Sequence, residues 1–136
     1  MLELTATQPS VADSRGSSLM GLKVFLVEDE ALVAMLVEEL LVELGCEIGG
    51  TATTVLEAVS QIESGLDFDV AILDVNLGGE NSFPIAEALI ARGRPFMFAT
   101  GFGPADIAQR FPGVLLLLKP YSARALAQSL EALIRP

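Results

Sequence analysis

Short, continuously apolar runs alternate with segments of helical spacing along most of the chain. That alternation narrows the fold more than any other feature. Lys23-Val24-Phe25-Leu26-Val27 reads as a strand. From Glu30 to Leu44 apolar residues recur at 32, 33, 36, 37, 40, 41 and 44, with Glu38, Glu39 and Glu43 on the outer face and Gly45 as a C-terminal stop. Cys46 to Ala52 predicts a second strand, and Thr54 with Glu57 predicts a capping box that opens a helix to about Ser64. Val70-Ala71-Ile72-Leu73 is the third strand. Gly78, Gly79 and Asn81 mark a loop, after which Ser82 caps a helix to about Ala91 with Pro84 in its first turn. Pro95 to Ala99 predicts a fourth strand, followed by a Gly101, Gly103, Pro104 loop and a short helix near Ala105 to Arg110. Val114 to Leu118 is the fifth strand, and Ser122 caps a last helix to about Ile134. Strands that are apolar throughout fit a parallel sheet covered on both faces. Right-handed crossovers then give a doubly wound, three-layer α/β sandwich of (βα)5 type.

A length of 136 residues suits one domain. Residues 1–20 are rich in Ser, Thr, Ala and Gln without a clear period, which predicts a flexible N-terminal tail before a folded domain over 21–136. Met35 and Met97 sit in apolar elements and are expected in the core. Cys46 is expected to be a small buried residue.

Composition removes several classes of chemistry. The chain has no His and one Cys, so it can build neither a Ser-His-Asp triad, a His-rich metal site, a phosphohistidine carrier, nor an internal disulfide. The net charge of −10 argues against a nucleic-acid surface, because neutralising phosphates needs Lys and Arg. Charge is also uneven: 15 of the 18 acidic side chains lie in residues 1–80, and 6 of the 8 basic ones lie in residues 81–136. Met1 to Gly21 lacks a basic start and a continuous apolar stretch, and the run Val114 to Leu118 is too short to span a bilayer. A cytoplasmic protein without membrane or nucleic-acid partners is the expectation.

In an open parallel sheet, ligands bind at the carboxyl ends of the strands. The residues that follow the strands are Glu28 and Asp29 after the first, Asp74 after the third, Thr100 after the fourth, and Lys119 after the fifth. Three crowded carboxylates repel one another unless a cation intervenes. Oxygen-only donors suit a hard divalent ion, Mg²⁺ above all. Lys119 offers a point charge for a phosphoryl oxygen, Thr100 a hydroxyl, and one carboxylate a nucleophile for phosphorus.

Val27-Glu28-Asp29, Leu73-Asp74, Ala99-Thr100-Gly101 and Leu118-Lys119-Pro120 together resemble the receiver domain of bacterial two-component response regulators. The four motifs fall in order on the matching elements over residues 21–136. The resemblance implies a flavodoxin-like sheet of order 2-1-3-4-5 and a phosphoprotein of phosphorelay signal transduction rather than an enzyme. It implies Asp74 as phosphoacceptor, and Glu28, Asp29, Asp74 and the Asn76 backbone carbonyl as the Mg²⁺ ligands. It further implies Thr100 as the switch hydroxyl, Lys119 as the partner of the phosphoryl group or of Asp74, and a cis Lys119–Pro120 bond. The implied partners are a sensor histidine kinase or phosphotransfer protein and a downstream protein target. The implied state is a monomer or a weak phosphorylation-dependent dimer.

Two departures stand out. Leu116 occupies the position where the family often has an aromatic switch residue, and Phe96-Met97-Phe98-Ala99-Thr100-Gly101-Phe102 instead resembles a subfamily of receivers, many of them stand-alone, with a Phe-Ala-Thr-Gly-aromatic signature. Gly78 stands where many receivers have Pro. Two other readings remain open: a non-phosphorylated pseudo-receiver acting as an interaction module, and an aspartyl-phosphate phosphatase. The second lacks the usual acid two positions after the nucleophile, where this chain has Asn76.

Overall fold

The computed structural model describes residues 18–101 and 105–135. Five parallel strands form one sheet: β1 (Lys23–Val27), β2 (Glu47–Ala52), β3 (Val70–Asp74), β6 (Phe96–Thr100) and β7 (Leu115–Leu118), in the order β2-β1-β3-β6-β7. Counted along this sheet alone, that is the expected order 2-1-3-4-5. Between β3 and β6 the chain adds two short strands, β4 (Asn76–Leu77) and β5 (Glu80–Asn81), which pair with each other rather than joining the sheet. The helices are α1 (Ala31–Glu43), α2 (Val55–Glu63), α3 (Phe83–Ala91), α4 (Ala105–Arg110) and α5 (Ala123–Ile134). Among the described residues, no helix is long and apolar enough to cross a membrane.

Side-chain alternation on the strands builds the three layers. Phe25, Val27, Ala71, Leu73 and Phe98 point to one face, where they pack with Ala58 and Ile62 of α2, Ile85 and Leu89 of α3, and Ile107 of α4. Val24, Leu26, Val70, Ile72, Met97 and Leu117 point to the other, against Val37 and Leu41 of α1 and Leu126 and Leu130 of α5. Burial on both faces explains why the middle strands carry no polar residue at alternate positions. Phe83, Phe96, Phe98 and Phe111 form a ring cluster on the α3 side, with Phe83 and Phe111 centroids 5.1 Å apart. Arg110 lies 5.7 Å from the centroids of both Phe83 and Phe111 and pairs with Glu87, tying α4 to α3.

Local signals account for most helix ends. Thr54 accepts from the Glu57 N–H at 3.1 Å, and Glu57 answers by accepting from the Thr53 N–H at 2.8 Å. Ser122 caps α5 by accepting from the Ala125 N–H at 3.1 Å. At α3 the expectation needs correction. Ser82 occupies the N-cap position without capping, its buried hydroxyl has no hydrogen-bond partner, and Asn81 Oδ1 accepts the Phe83 N–H at 3.0 Å.

Two further expectations change. Met35 is 55% exposed, not core, because α1 is apolar on more than the side that meets the sheet; Met97 is fully buried as expected. Leu19 falls in the stretch assigned to a tail, yet it is fully buried with Val24 and Leu41, so packing begins before residue 21. The rest of that stretch, residues 1–17, lies outside the described residues. Cys46 is buried, and burial pushes its thiol up to about 11.

Candidate functional site

All five sheet strands run in one direction, so their carboxyl ends form one rim. Glu28 and Asp29 follow β1, Asp74 ends the adjacent β3, Thr100 ends β6, and Lys119 follows β7. Every site residue expected to bear its chemistry on a side chain therefore stands at this rim. Asp29, Asp74, Asn76, Thr100 and Lys119 line one cavity of about 430 Å³, together with Gly78 and Gly79 of the hairpin.

Lys119 organises the acids. Its Nζ donates to Glu28 Oε1 at 2.9 Å and lies 3.1 Å from Asp74 Oδ1. Glu28 is 4% exposed, and its other oxygen accepts the Glu30 N–H at 3.1 Å. The Glu28 and Lys119 backbones are fixed by neighbouring strands: the Glu28 N–H donates to the Ala52 carbonyl at 3.1 Å, and the Lys119 N–H donates to the Thr100 carbonyl at 2.8 Å. The Lys119–Pro120 bond is cis.

Burial is the main force on Asp74, disfavouring its charged form and pushing its carboxyl up to about 6. The negative charge of Glu28 adds to this, while the hydrogen bond and charge of Lys119 oppose it. On Lys119 burial works against the ammonium, but the hydrogen bonds to Glu28 and Asp74 outweigh it and raise the lysine above its ordinary value. Tyr121, two residues on, is pushed up to about 12, chiefly by burial.

The donor set fits a hard cation. One carboxylate oxygen each from Glu28, Asp29 and Asp74 lies within 4.8 Å of the others. Side-chain adjustment would draw that set in around an ion as small as Mg²⁺. With all three ionised, the single Lys119 ammonium leaves an excess of negative charge, which a divalent ion would offset. Asn76 sits at the cavity wall, with its side chain engaged as an acceptor for the Gly79 N–H at 3.0 Å.

Sequence reasoning missed the backbone N–H donors to the acids. The Gly78 N–H donates to Asp29 Oδ2 at 2.9 Å, and the Glu30 N–H steadies Glu28. The Gly78-Gly79 pair was the available signal, since a two-residue hairpin turn with both φ positive favours glycine. Leu116 lies on β7 half-buried beside the α3-side core, and Phe102 lies outside the described residues.

Comparison with known proteins places this rim in context. No family model matches the chain. The transcriptional regulatory protein PdtaR of Mycobacterium tuberculosis is 32% identical over 113 residues, which cover 80% of this chain and 55% of PdtaR. The chain thus spans about half the length of the curated relatives it matches. The solution structure of SdrG from Sphingomonas melonis Fr1 is 44% identical with a TM-score of 0.73, covering 85% of this chain and 98% of SdrG. The BeF3-activated conformation of SdrG, from Pseudomonas melonis Fr1, is 45% identical with a TM-score of 0.72, covering 83% of this chain and 96% of that one. The signal receiver domain of a modulated diguanylate cyclase from Desulfovibrio desulfuricans G20 is 31% identical with a TM-score of 0.72, covering 82% and 92%. Identity at this level over nearly whole receiver chains, on the same sheet topology, shows that the chain belongs to the receiver-domain family of two-component response regulators.

Proposed function

We infer that this receiver accepts a phosphoryl group on Asp74 and signals by a change in protein binding. The observation that carries this reading is the Lys119 ammonium set between Glu28 and Asp74 at a rim also holding Asp29 and Thr100. The donor is a phosphohistidine on a sensor kinase or phosphotransfer protein. An Asp74 carboxylate oxygen attacks phosphorus in line, the P–N bond breaks, and its electron pair returns to the donor imidazole. The products are an aspartyl-phosphate and an unphosphorylated histidine.

Glu28, Asp29, Asp74 and the Asn76 carbonyl would hold Mg²⁺, whose charge offsets that of the phosphoryl oxygens during transfer. Lys119 stays anchored by buried Glu28 and exchanges its contact with Asp74 for one with a phosphoryl oxygen. The Thr100 hydroxyl, buried at the cavity wall, supplies a second hydrogen bond to that group. Leu116 provides no aromatic ring to follow Thr100, so the response runs through α4, whose Arg110 pairs with Glu87 and lies over Phe83 of α3.

Partner docking has a candidate surface on α1. Leu32, Met35, Leu36 and Val42 are exposed in a helical stripe, flanked by Glu38, Glu39 and Glu43. That pattern suits a partner helix with an apolar seam and basic flanks. The decisive experiment is incubation with a small phosphodonor and Mg²⁺, followed by peptide mass spectrometry. The expected result is one phosphoryl group on the Asp74 peptide, absent from Asp74→Asn and absent without Mg²⁺. Labelling of Asp74→Asn at the wild-type level would overturn the assignment.

A further inference from the structure

The hairpin after Asp74 has only two ladder pairs, Asn76 with Asn81 and Leu77 with Glu80. So short a ladder does not hold a fixed position by itself. Its anchors are therefore informative. Leu77 is buried in the α3-side core. Asn76 Oδ1 accepts the Gly79 N–H at 3.0 Å and braces the turn from within. The third anchor reaches across the cavity mouth, where the Gly78 N–H donates to Asp29 Oδ2 at 2.9 Å.

Asp29 is the exposed member of the carboxylate cluster. An exposed carboxylate loses rotamer freedom when it ligates an ion, and a hydrogen bond that fixes it beforehand removes part of that cost. The Gly78 donor engages Oδ2 and leaves Oδ1 for a cation. Gly78 can offer its N–H in this place because the turn runs through φ values of +56° at Gly78 and +93° at Gly79, a backbone that glycine adopts without strain.

We propose that the Gly78 N–H is a positioning group for the divalent-cation site, tethering the β4–β5 hairpin to Asp29 so that cation binding and hairpin order rise together. The proposal rests on the reading of Glu28, Asp29 and Asp74 as metal ligands. By linkage, a tether that raises cation affinity by some factor is itself strengthened by the cation through the same factor. The hairpin lines the cavity beside Asp74, so an arriving phosphoryl donor would meet a wall already set by the metal.

The test uses Mg²⁺ alone, on the full chain. In the unmodified protein, saturating Mg²⁺ should slow hydrogen exchange at the Gly78 amide by about tenfold, the size of effect usual for a group supporting a metal ligand. Exchange at the Glu57 amide, held by Thr54 on another helix, should not move. Replacing the amide at position 78 by an ester deletes this one donor and should weaken Mg²⁺ binding about tenfold by calorimetry. Asn76→Ala, which removes the inner brace but keeps the backbone carbonyl, should weaken it by a smaller factor. A Gly78 amide indifferent to saturating Mg²⁺, or an ester variant binding Mg²⁺ within twofold of wild type, would overturn the tether while leaving the metal site standing. An unmodified protein that binds no Mg²⁺ would overturn the metal reading itself, and the tether with it.

Discussion

Lys119 Nζ stands 3.1 Å from Asp74 Oδ1 while donating to Glu28 Oε1 at 2.9 Å. One ammonium thus serves the proposed phosphoacceptor and a more deeply buried acid at once. The contact with Asp74 is the one a phosphoryl group would replace. The contact with Glu28 keeps the lysine in place during the exchange.

Lys119→Met should therefore destabilise the fold as well as impair phosphorylation. It strips the cation from an almost fully buried Glu28, and an orphaned buried charge costs about 3 kcal/mol or more. Urea denaturation at pH 7 measures this. Lys119→Arg should recover part of the stability. A Met variant within 0.5 kcal/mol of wild type at pH 7 would show that Glu28 does not depend on this lysine.

Asp74→Asn should stabilise the metal-free protein above neutral pH. The folded state raises the Asp74 carboxyl to about 6, above its unfolded value, so the native chain binds its proton more tightly. The stability linked to that proton is fully present below the ordinary carboxylate range and is lost as pH rises through about 6. At pH 7.5 Asp74→Asn should gain roughly 1–2 kcal/mol, an amount reduced by the partial solvent screening of the site. Below pH 4 the gap should close. Paired denaturation curves at the two pH values decide the matter, and a gap that widens in acid would reverse the sign.

Magnesium should raise the melting temperature by mass action. At a hundred times its dissociation constant a ligand contributes about 2.7 kcal/mol. Asp29→Asn removes one carboxylate from the cluster and should need more Mg²⁺ for the same shift. A thermal scan against Mg²⁺ concentration reads both. Identical curves for the two proteins would remove Asp29 from the ligand set.

Phe111→Ala should cost about 3 kcal/mol. Its ring is buried against Phe83, Phe96 and Phe98, with centroids 5.1, 6.4 and 5.5 Å away. The exposed Leu56 on α2 is the control, and Leu56→Ala should stay within about 0.5 kcal/mol. Guanidinium denaturation compares the two, and equal losses would mean that the aromatic cluster contributes no more than surface packing.

The sheet was legible because its residues obey one simple rule. Val24 to Val27 and Val70 to Leu73 are apolar at every position, which only a two-sided burial allows, and the acids, Thr and Lys follow directly where such strands end. The β4–β5 hairpin was not legible: strands of two residues have no period, and glycine at 78 and 79 signals a turn without saying what its N–H groups reach. Nor could the sequence assign Met35 to a side. Helix α1 is apolar almost all round, so which face meets the sheet is decided by tertiary packing. Ser82 shows a similar limit, since the preferred residue type stands at the cap position but Asn81 performs the capping. Cation–π contacts such as Arg110 over Phe83 join residues 27 positions apart, a distance at which no local pattern operates.

Among the described residues, the strand order leaves β2 and β7 with one unpaired side each, and the two margins differ in their hazard for self-association. β2 carries exposed Glu47 and two glycines, a poor template for an added strand. β7 is four consecutive leucines, and Leu118 at its end is 58% exposed. Loosening of the helices that flank β7 would open an apolar, hydrogen-bond-hungry margin to a neighbouring molecule. Of the two margins this leucine edge is therefore the more hazardous, and the net charge of −10 is the feature that keeps neighbouring molecules apart.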